Sequence, residues 1–166
     1  MKETFEHLCR VSPHIVIEEK TFQNEIIEPD FFAFSYLKNI IFKNIIFVSL
    51  SWQETGFENC IFEDCQFSTE DDTRNFTSDY DYTLWDCTNF ENCQFKNCNF
   101  TTIKWRQVRF IDCSFESCNF DNIKLADSVF KRNQLNQTNW NNILVELADF
   151  IDLKIHETKF TNLHRV

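Results

Sequence analysis

A spacing of five constrains this chain more than any other feature. From residue 85 onward a large apolar side chain stands at every fifth position: Trp85, Phe90, Phe95, Phe100, Trp105, Phe110, Phe115, Phe120, Leu125, Phe130, Leu135, Trp140, Val145, Phe150, Ile155 and Phe160. An upstream series keeps the spacing in a different phase, through Phe32, Leu37, Phe42, Phe47, Trp52, Phe57, Phe62 and Phe67, with Ile17, Phe22 and Ile27 as a weaker lead-in. A helix repeats every 3.6 residues and a strand every 2, so neither element carries this pattern over such a distance.

Two positions before most centres stands a second, usually smaller inward candidate: Ile40, Ile45, Cys60, Cys65, Cys93, Cys98, Ile103, Val108, Cys113, Cys118, Ile123 and Ala148. The other three positions are mostly polar or charged. Two inward residues separated by one outward residue are what a short extended segment shows to one side, so the chain has to turn once per five residues to keep both inside. If four turns close a coil, residues twenty apart lie above one another. Phe90, Phe110, Phe130 and Phe150 then form one column, and Phe100, Phe120, Trp140 and Phe160 a second. Trp85, Trp105, Leu125 and Val145 form a third, and Phe95, Phe115, Leu135 and Ile155 a fourth. These columns, with Cys93, Cys98, Cys113 and Cys118, are the expected structural core.

Units such as Cys93-Gln94-Phe95-Lys96-Asn97, Cys98-Asn99-Phe100-Thr101-Thr102 and Cys118-Asn119-Phe120-Asp121-Asn122 resemble the pentapeptide-repeat family, whose pattern is a small residue, Asp or Asn, Leu or Phe, then two polar residues. The resemblance extends over most of the chain. It implies an all-β fold, a right-handed quadrilateral parallel β-helix, here of about six coils and on the order of 30 Å long. The repeat is expected over residues 15–166, behind an N-terminal cap over residues 1–14. Asn at the turns tolerates unusual backbone angles, which lets such a chain manage with Gly56 as its only glycine.

The repeat breaks once. Phe67 and Trp85 are not a multiple of five apart, so a loop is expected to project near residues 69–79. With Tyr80 as a centre and Ser78 as its small partner, the break is one unit plus a loop over about residues 69–76, and Cys65, Cys93 and Cys113 share a column. Residues 54–81 contain nine acidic residues against Arg74 alone, so most of the net charge of −10 is local. Glu70, Asp71, Asp72, Asp79 and Asp81 in this acidic loop are candidate partner-binding residues; the alternative is a solvated loop that keeps an apolar rod soluble. A basic band is the other candidate: Lys104 and Lys124 stand twenty apart, with Arg106 and Arg109 close by and Lys131 and Arg132 one coil further on. Separated acidic and basic patches suit oriented docking on a protein.

A single glycine excludes phosphate-cradling loops, both the P-loop and the dinucleotide fingerprint. The cysteines are paired five apart, there is no C-x-x-C, and the four histidines lie near the two ends, so neither metal nor another cofactor is expected. No nucleophile–base set is evident and the interior is expected to be filled by Phe and Trp, so the reading is not an enzyme. The inward cysteines read as small buried hydrophobes; disulfides between stacked pairs, Cys93 with Cys113 or Cys98 with Cys118, are the alternative, which a reducing cytoplasm opposes. The first residues lack a signal-like apolar stretch and no run reaches the roughly 20 residues of a membrane span, so a cytoplasmic protein is expected. Net negative charge opposes direct binding to nucleic acid or anionic membrane. The expected function is therefore a non-enzymatic protein–protein interaction scaffold, as a monomer or an end-to-end homodimer. The resemblance adds a more specific alternative: some family members are acidic, DNA-like rods that bind and protect a type II topoisomerase, DNA gyrase, from quinolones or peptide toxins.

Overall fold

The computed structural model describes residues 4–5, 7–8, 14–27, 31–68 and 83–166. It contains 22 short strands, every pairing between them parallel, arranged on four faces around a common axis. One face shows the construction. Strands Val16–Glu18, Tyr36–Lys38, Gly56–Glu58, Asn89–Glu91, Arg109–Ile111, Ser128–Lys131 and Ala148–Ile151 pair in that order, so seven coils are stacked. Their inward column is Ile17, Leu37, Phe57, Phe90, Phe110, Phe130 and Phe150. The fold is the parallel β-helix that the family resemblance implied, with one coil more than expected. The additional coil is the lead-in itself: Phe22 pairs with Phe42, Ile27 with Phe47 and Phe32 with Trp52. Lys20 and Glu25 stand where a small apolar residue is usual there, which blurs the repeat in the sequence.

Register partners are twenty residues apart except at one place, where the separation is 33: Trp52 with Trp85, Phe57 with Phe90, and Phe62 with Phe95. The thirteen extra residues all enter at one corner, because Trp85 occupies the face immediately after Phe67 and stacks on Trp52 with ring centroids 4.4 Å apart. Trp85 thus takes the coil position that follows Phe67; Tyr80, the expected centre, lies with residues 69–82 outside the described residues. The cysteine columns shift accordingly. Cys60, Cys93 and Cys113 form one and Cys65, Cys98 and Cys118 the other, as the inter-coil backbone bonds show: Gln94 N–H to Cys60 C=O and Asn99 N–H to Cys65 C=O, at 2.9 and 3.0 Å. Spacing alone cannot separate one long insertion from a unit plus a shorter loop; ring stacking decides it.

Every described corner but one turns through a residue with positive φ, the second after the inward centre; the exception is Leu147, after Val145. Twenty-five described non-glycine residues have φ between 46° and 70°, and thirteen of them are Asn or Asp. These are the L-residues that adopt the left-handed region most readily, because a short polar side chain bonds locally. Gly56 is not one of them. A Cβ there would stand 2.9 Å from Cδ2 of Tyr36, so this glycine makes room for a ring lying on the outer surface.

Inside, the rings stack coil on coil. Phe110 lies 4.8 Å from Phe90 at an interplanar angle of 7° and 5.0 Å from Phe130, while Phe115 and Trp105 meet it at steep angles from neighbouring faces. Parallel contacts along columns and edge contacts across them satisfy the ring quadrupole in both directions. The buried thiols are weakly bonded; Cys98 Sγ–H points at the Phe62 carbonyl at 3.3 Å. A hydrogen bond to the Cys93 thiol together with burial pushes the Cys60 thiol up, and burial does the same for Cys93 and Cys98, so all three stay protonated. One coil on, Asn133 takes the cysteine position with no exposure: its carbonyl accepts from Cys113 N–H at 2.8 Å and its amide donates to Phe110 C=O at 2.9 Å.

The two ends differ. At the N-terminal end, Phe5 is fully buried among Phe22, Phe32, Phe42 and Phe47. Its N–H donates to Glu25 Oε2 at 2.9 Å, and Thr4 opens the same turn by accepting from His7 N–H. At the C-terminal end, Phe150 and Phe160 hold their columns, stacked on Phe130 and Trp140, but remain 47% and 42% exposed. They were expected in the core; among the described residues no further coil lies over them.

Candidate interaction surface

With the interior occupied by rings, chemistry toward a partner belongs to the outward residues, and the coil register decides which of these meet. Lys104 and Lys124 are direct register partners, between Leu84 and Leu144 on the Trp105 face. Lys124 is almost buried, and its Nζ lies 2.9 Å from Glu146 Oε1. Arg106, on the same face, forms a bidentate pair with Asp86 one coil before it, with Nε 2.8 Å from Oδ1. The Arg106 guanidinium holds the Asp86 carboxyl below its ordinary value, against the opposing effect of burial. Arg109 is exposed on the next face, between Asn89 and Val129. The structure thus gathers Lys104, Arg106 and Lys124 on one face and sets Arg109 around the corner. The acidic-loop candidates Glu70, Asp71, Asp72, Asp79 and Asp81 lie outside the described residues, which end at Ser68 and resume at Thr83, the register partner of Ile103.

The outer surface has an order that reading along the chain did not bring out. Opposite charges stack on successive coils: Lys38 with Glu58 at 3.0 Å, Lys43 with Glu63 at 3.3 Å, and Arg132 with Asp112 through Nε at 2.7 Å. The Arg132 pair holds the Asp112 carboxyl below its ordinary value. Side-chain amides stack in the same way. Asn139 donates to Asn119 and Asn119 to Asn99, both at 2.9 Å; Asn44 donates to Asn24 at 2.8 Å. Across the insertion the ladder continues, with Asn97 donating to Asp64 at 3.2 Å. Writing the sequence in rows of twenty would have displayed most of these pairs. Asp86 with Arg106 is among them, and the basic band is accordingly a set of ion pairs with carboxylates as much as a row of cations.

A model of the pentapeptide repeat region matches residues 84–163. The same register runs through the coils before it. Residues 84–163 are thus a pentapeptide repeat region. Solved structures similar to this chain include QnrB1, a plasmid-mediated fluoroquinolone resistance protein, at 14% identity and a TM-score of 0.41, covering 86% of this chain and 71% of that one. HetL, a pentapeptide repeat protein involved in heterocyst differentiation regulation in the cyanobacterium Nostoc sp. strain PCC 7120, is 10% identical with a TM-score of 0.34, over 90% of this chain and 89% of that one. Rfr23 from the cyanobacterium Cyanothece 51142 is 10% identical with a TM-score of 0.18, over 91% and 84%. No curated protein matches the sequence. Among the described residues no helix is long and apolar enough to cross a membrane.

Proposed function

We propose that this protein is a non-catalytic docking scaffold that presents its outer faces, and the acidic insert beside the Lys104 face, to a partner protein in the cytoplasm. The observation that carries this reading is the register of outward side chains. Ion pairs and amide ladders tie residues of successive coils together, so the surface is preorganised and little side-chain entropy remains to be lost on binding. Lys104, Lys124 and the Arg106–Asp86 pair share one face, and the acidic run over residues 70–81 directly precedes in sequence the strand that enters it, which makes both signs of charge available to one partner. The test is capture of partners from a host lysate, followed by charge reversal at Glu70, Asp71 and Asp72 and, separately, Lys104→Glu. Undiminished capture by both variants removes this patch from the contact.

The second reading is protection of a type II topoisomerase, favoured by the net charge of −10 concentrated around the insert. Pairing of Glu58, Glu63, Asp86, Asp112 and Glu146 with Lys or Arg weakens any likeness to a row of phosphates. A DNA gyrase supercoiling assay with purified protein, with and without a fluoroquinolone, separates the two: inhibition or rescue favours this reading, and no effect leaves the general scaffold.

A further inference from the structure

We propose that the face built on Phe42, Phe62, Phe95 and Phe115 is a lateral contact surface, on which a second copy of the chain docks side by side with its axis antiparallel. In chain order the four faces of a coil are those of Phe95, Phe100, Trp105 and Phe110, so this one lies opposite the face that holds Lys104. The contact therefore goes beyond the partner docking proposed above and leaves that side open. Outward side chains on the Phe95 face stand in two columns. One runs Thr21, Ile41, Ile61, Gln94, Ser114 and Gln134 and carries no charge. The other runs Gln23, Lys43, Glu63, Lys96, Glu116 and Asn136, so its four charges alternate in sign from coil to coil. Lys43 Nζ lies 3.3 Å from Glu63 Oε2, and Lys96 has a carboxylate in register on each side, Glu63 and Glu116. Lys43, Lys96 and Glu116 are exposed and Glu63 partly so, which leaves all four able to meet a charge from outside.

The order of signs selects a second copy as the occupant. A two-fold axis lying across the face, perpendicular to the rod and between the Phe62 and Phe95 coils, inverts the second copy while keeping each column opposite itself. Lys43 of one copy then meets Glu116 of the other, and Glu63 meets Lys96, each twice by symmetry. In the same register Gln23 meets Asn136, Ile41 meets Ser114 and Ile61 meets Gln94, so no like charges are opposed and no charge is set against an apolar group. Each ion gains an opposite neighbour across the contact beside those in its own column, and such a network contributes more than isolated exposed pairs. A two-fold axis along the rod is excluded by the same side chains, because it would set Lys43 against Ile41 and Glu63 against Ile61. Other faces do not match themselves in this way. On the Phe90 face the equivalent axis opposes Glu58 to Glu91, and on the Trp105 face an axis between successive coils opposes Lys104 to Lys124. At about 4.8 Å per coil, six coils and a width of about 15 Å give roughly 430 Å² on each copy, below the size usual for permanent interfaces, so the dimer forms only as concentration rises.

Sedimentation equilibrium of the whole chain from about 5 to about 500 μM tests this range of affinity. Salt of about 0.1 M suits it, since a screening length of about 10 Å suppresses repulsion between two chains of net charge −10 but not attraction between groups in contact. The mass should rise from 20.0 kDa toward twice that value and stop there, because the contact uses the same face of both copies. Glu63→Lys and Lys96→Glu should each weaken association at least tenfold with an unchanged far-UV circular dichroism spectrum. Mixed in equal amounts, the two variants should associate again as a one-to-one pair, because the two cations of the first then face the two carboxylates of the second. Recovery on mixing separates a contact between copies from the stacking of coils within one copy, which mixing does not alter. A parent mass fixed at one chain, growth beyond two chains, single variants that associate like the parent, or a mixture that stays monomeric each overturns the proposal.

Discussion

Truncating one phenylalanine column at two heights should give two very different losses of stability. Phe110 and Phe150 occupy equivalent positions in coils two apart, and the sequence around each follows the same five-residue pattern. Phe110 is fully buried, stacked on Phe90 and Phe130 and met edge-on by Phe115. Phe110→Ala removes the whole transfer term and leaves a void that neighbouring coils cannot close without losing their own hydrogen bonds, so about 4 kcal/mol is expected. Phe150 is 47% exposed and stacks on Phe130 alone. Its truncation opens onto solvent and leaves no cavity; roughly half of a ~2–3 kcal/mol burial term is lost, about 1 kcal/mol. The difference of about 3 kcal/mol corresponds to on the order of a hundredfold in the folding equilibrium. Urea titration followed by both tryptophan fluorescence and circular dichroism, at a protein concentration low enough for monomer, reads it directly, and agreement of the two probes establishes whether a single transition is present. If the two substitutions cost the same within about 0.5 kcal/mol, the account of a core that is continuous along the rod but open at one end is wrong.

Other outcomes follow from particular side chains. Asp86→Asn should lower stability at neutral pH by about 1 kcal/mol, discounted for the half-exposed Arg106. Because the Asp86 pKa is depressed in the folded state, its contribution is complete above the ordinary value of 3.8 and disappears as pH falls through the folded value, so parent and variant should converge in acid denaturation below about pH 4. Alkylation of the native protein with peptide mapping should label half-buried Cys87 well before Cys60, Cys65, Cys93, Cys98, Cys113 or Cys118, and denatured protein should show eight thiols; a lower count would mean disulfides. Thr102 is the one β-branched residue among the described positive-φ corners, so Thr102→Asn should raise the urea midpoint by the equivalent of about 0.5–1 kcal/mol, and a decrease would refute the strain argument. Gly56→Val should lower the midpoint measurably, and Tyr36→Ala should relieve most of that loss, since Tyr36 is the nearest obstacle to a side chain at position 56.

How much of this could be read from the chain depends on which physical effect set the answer. The inward centres follow from burial, and burial leaves a period in the sequence; hence the columns through Phe90, Phe95, Phe100 and Trp105 were legible to the residue. The first coil was less so, because Lys20 and Glu25 interrupt its pattern while Ile17, Phe22, Ile27 and Phe32 still stack. The insertion could be located but not partitioned, since a loop leaves no period and only the stacking of Trp85 on Trp52 fixes where the rod resumes. Exposure of Phe150 and Phe160 could not be read at all from their spacing: a residue at the end of a stack has the same local sequence as one in the middle. For the candidate surface, the vertical alignment of Lys104 with Lys124 was accessible from the spacing of twenty. The stacking of Arg106 on Asp86 follows the same spacing, whereas the pairing of Lys124 with Glu146, twenty-two residues apart, depended on side-chain reach between coils.

The contrast between a first coil plugged by Phe5 and a last described coil whose rings are half exposed has a mechanical consequence. Held by its two termini and pulled, such a rod gives way first where the outermost coil has neighbours on one side only, and each coil lost recreates the same open edge on the next. Unravelling therefore proceeds as a series of similar steps from the C-terminal side. Most coils of twenty residues release about 70 Å of extended chain, and the coil carrying the insertion, at 33 residues, releases roughly 115 Å. That longer step marks, in a force trace, how far the peeling has travelled. Phe5, wedged among four rings at the far end, is the catch against which the last coils are drawn.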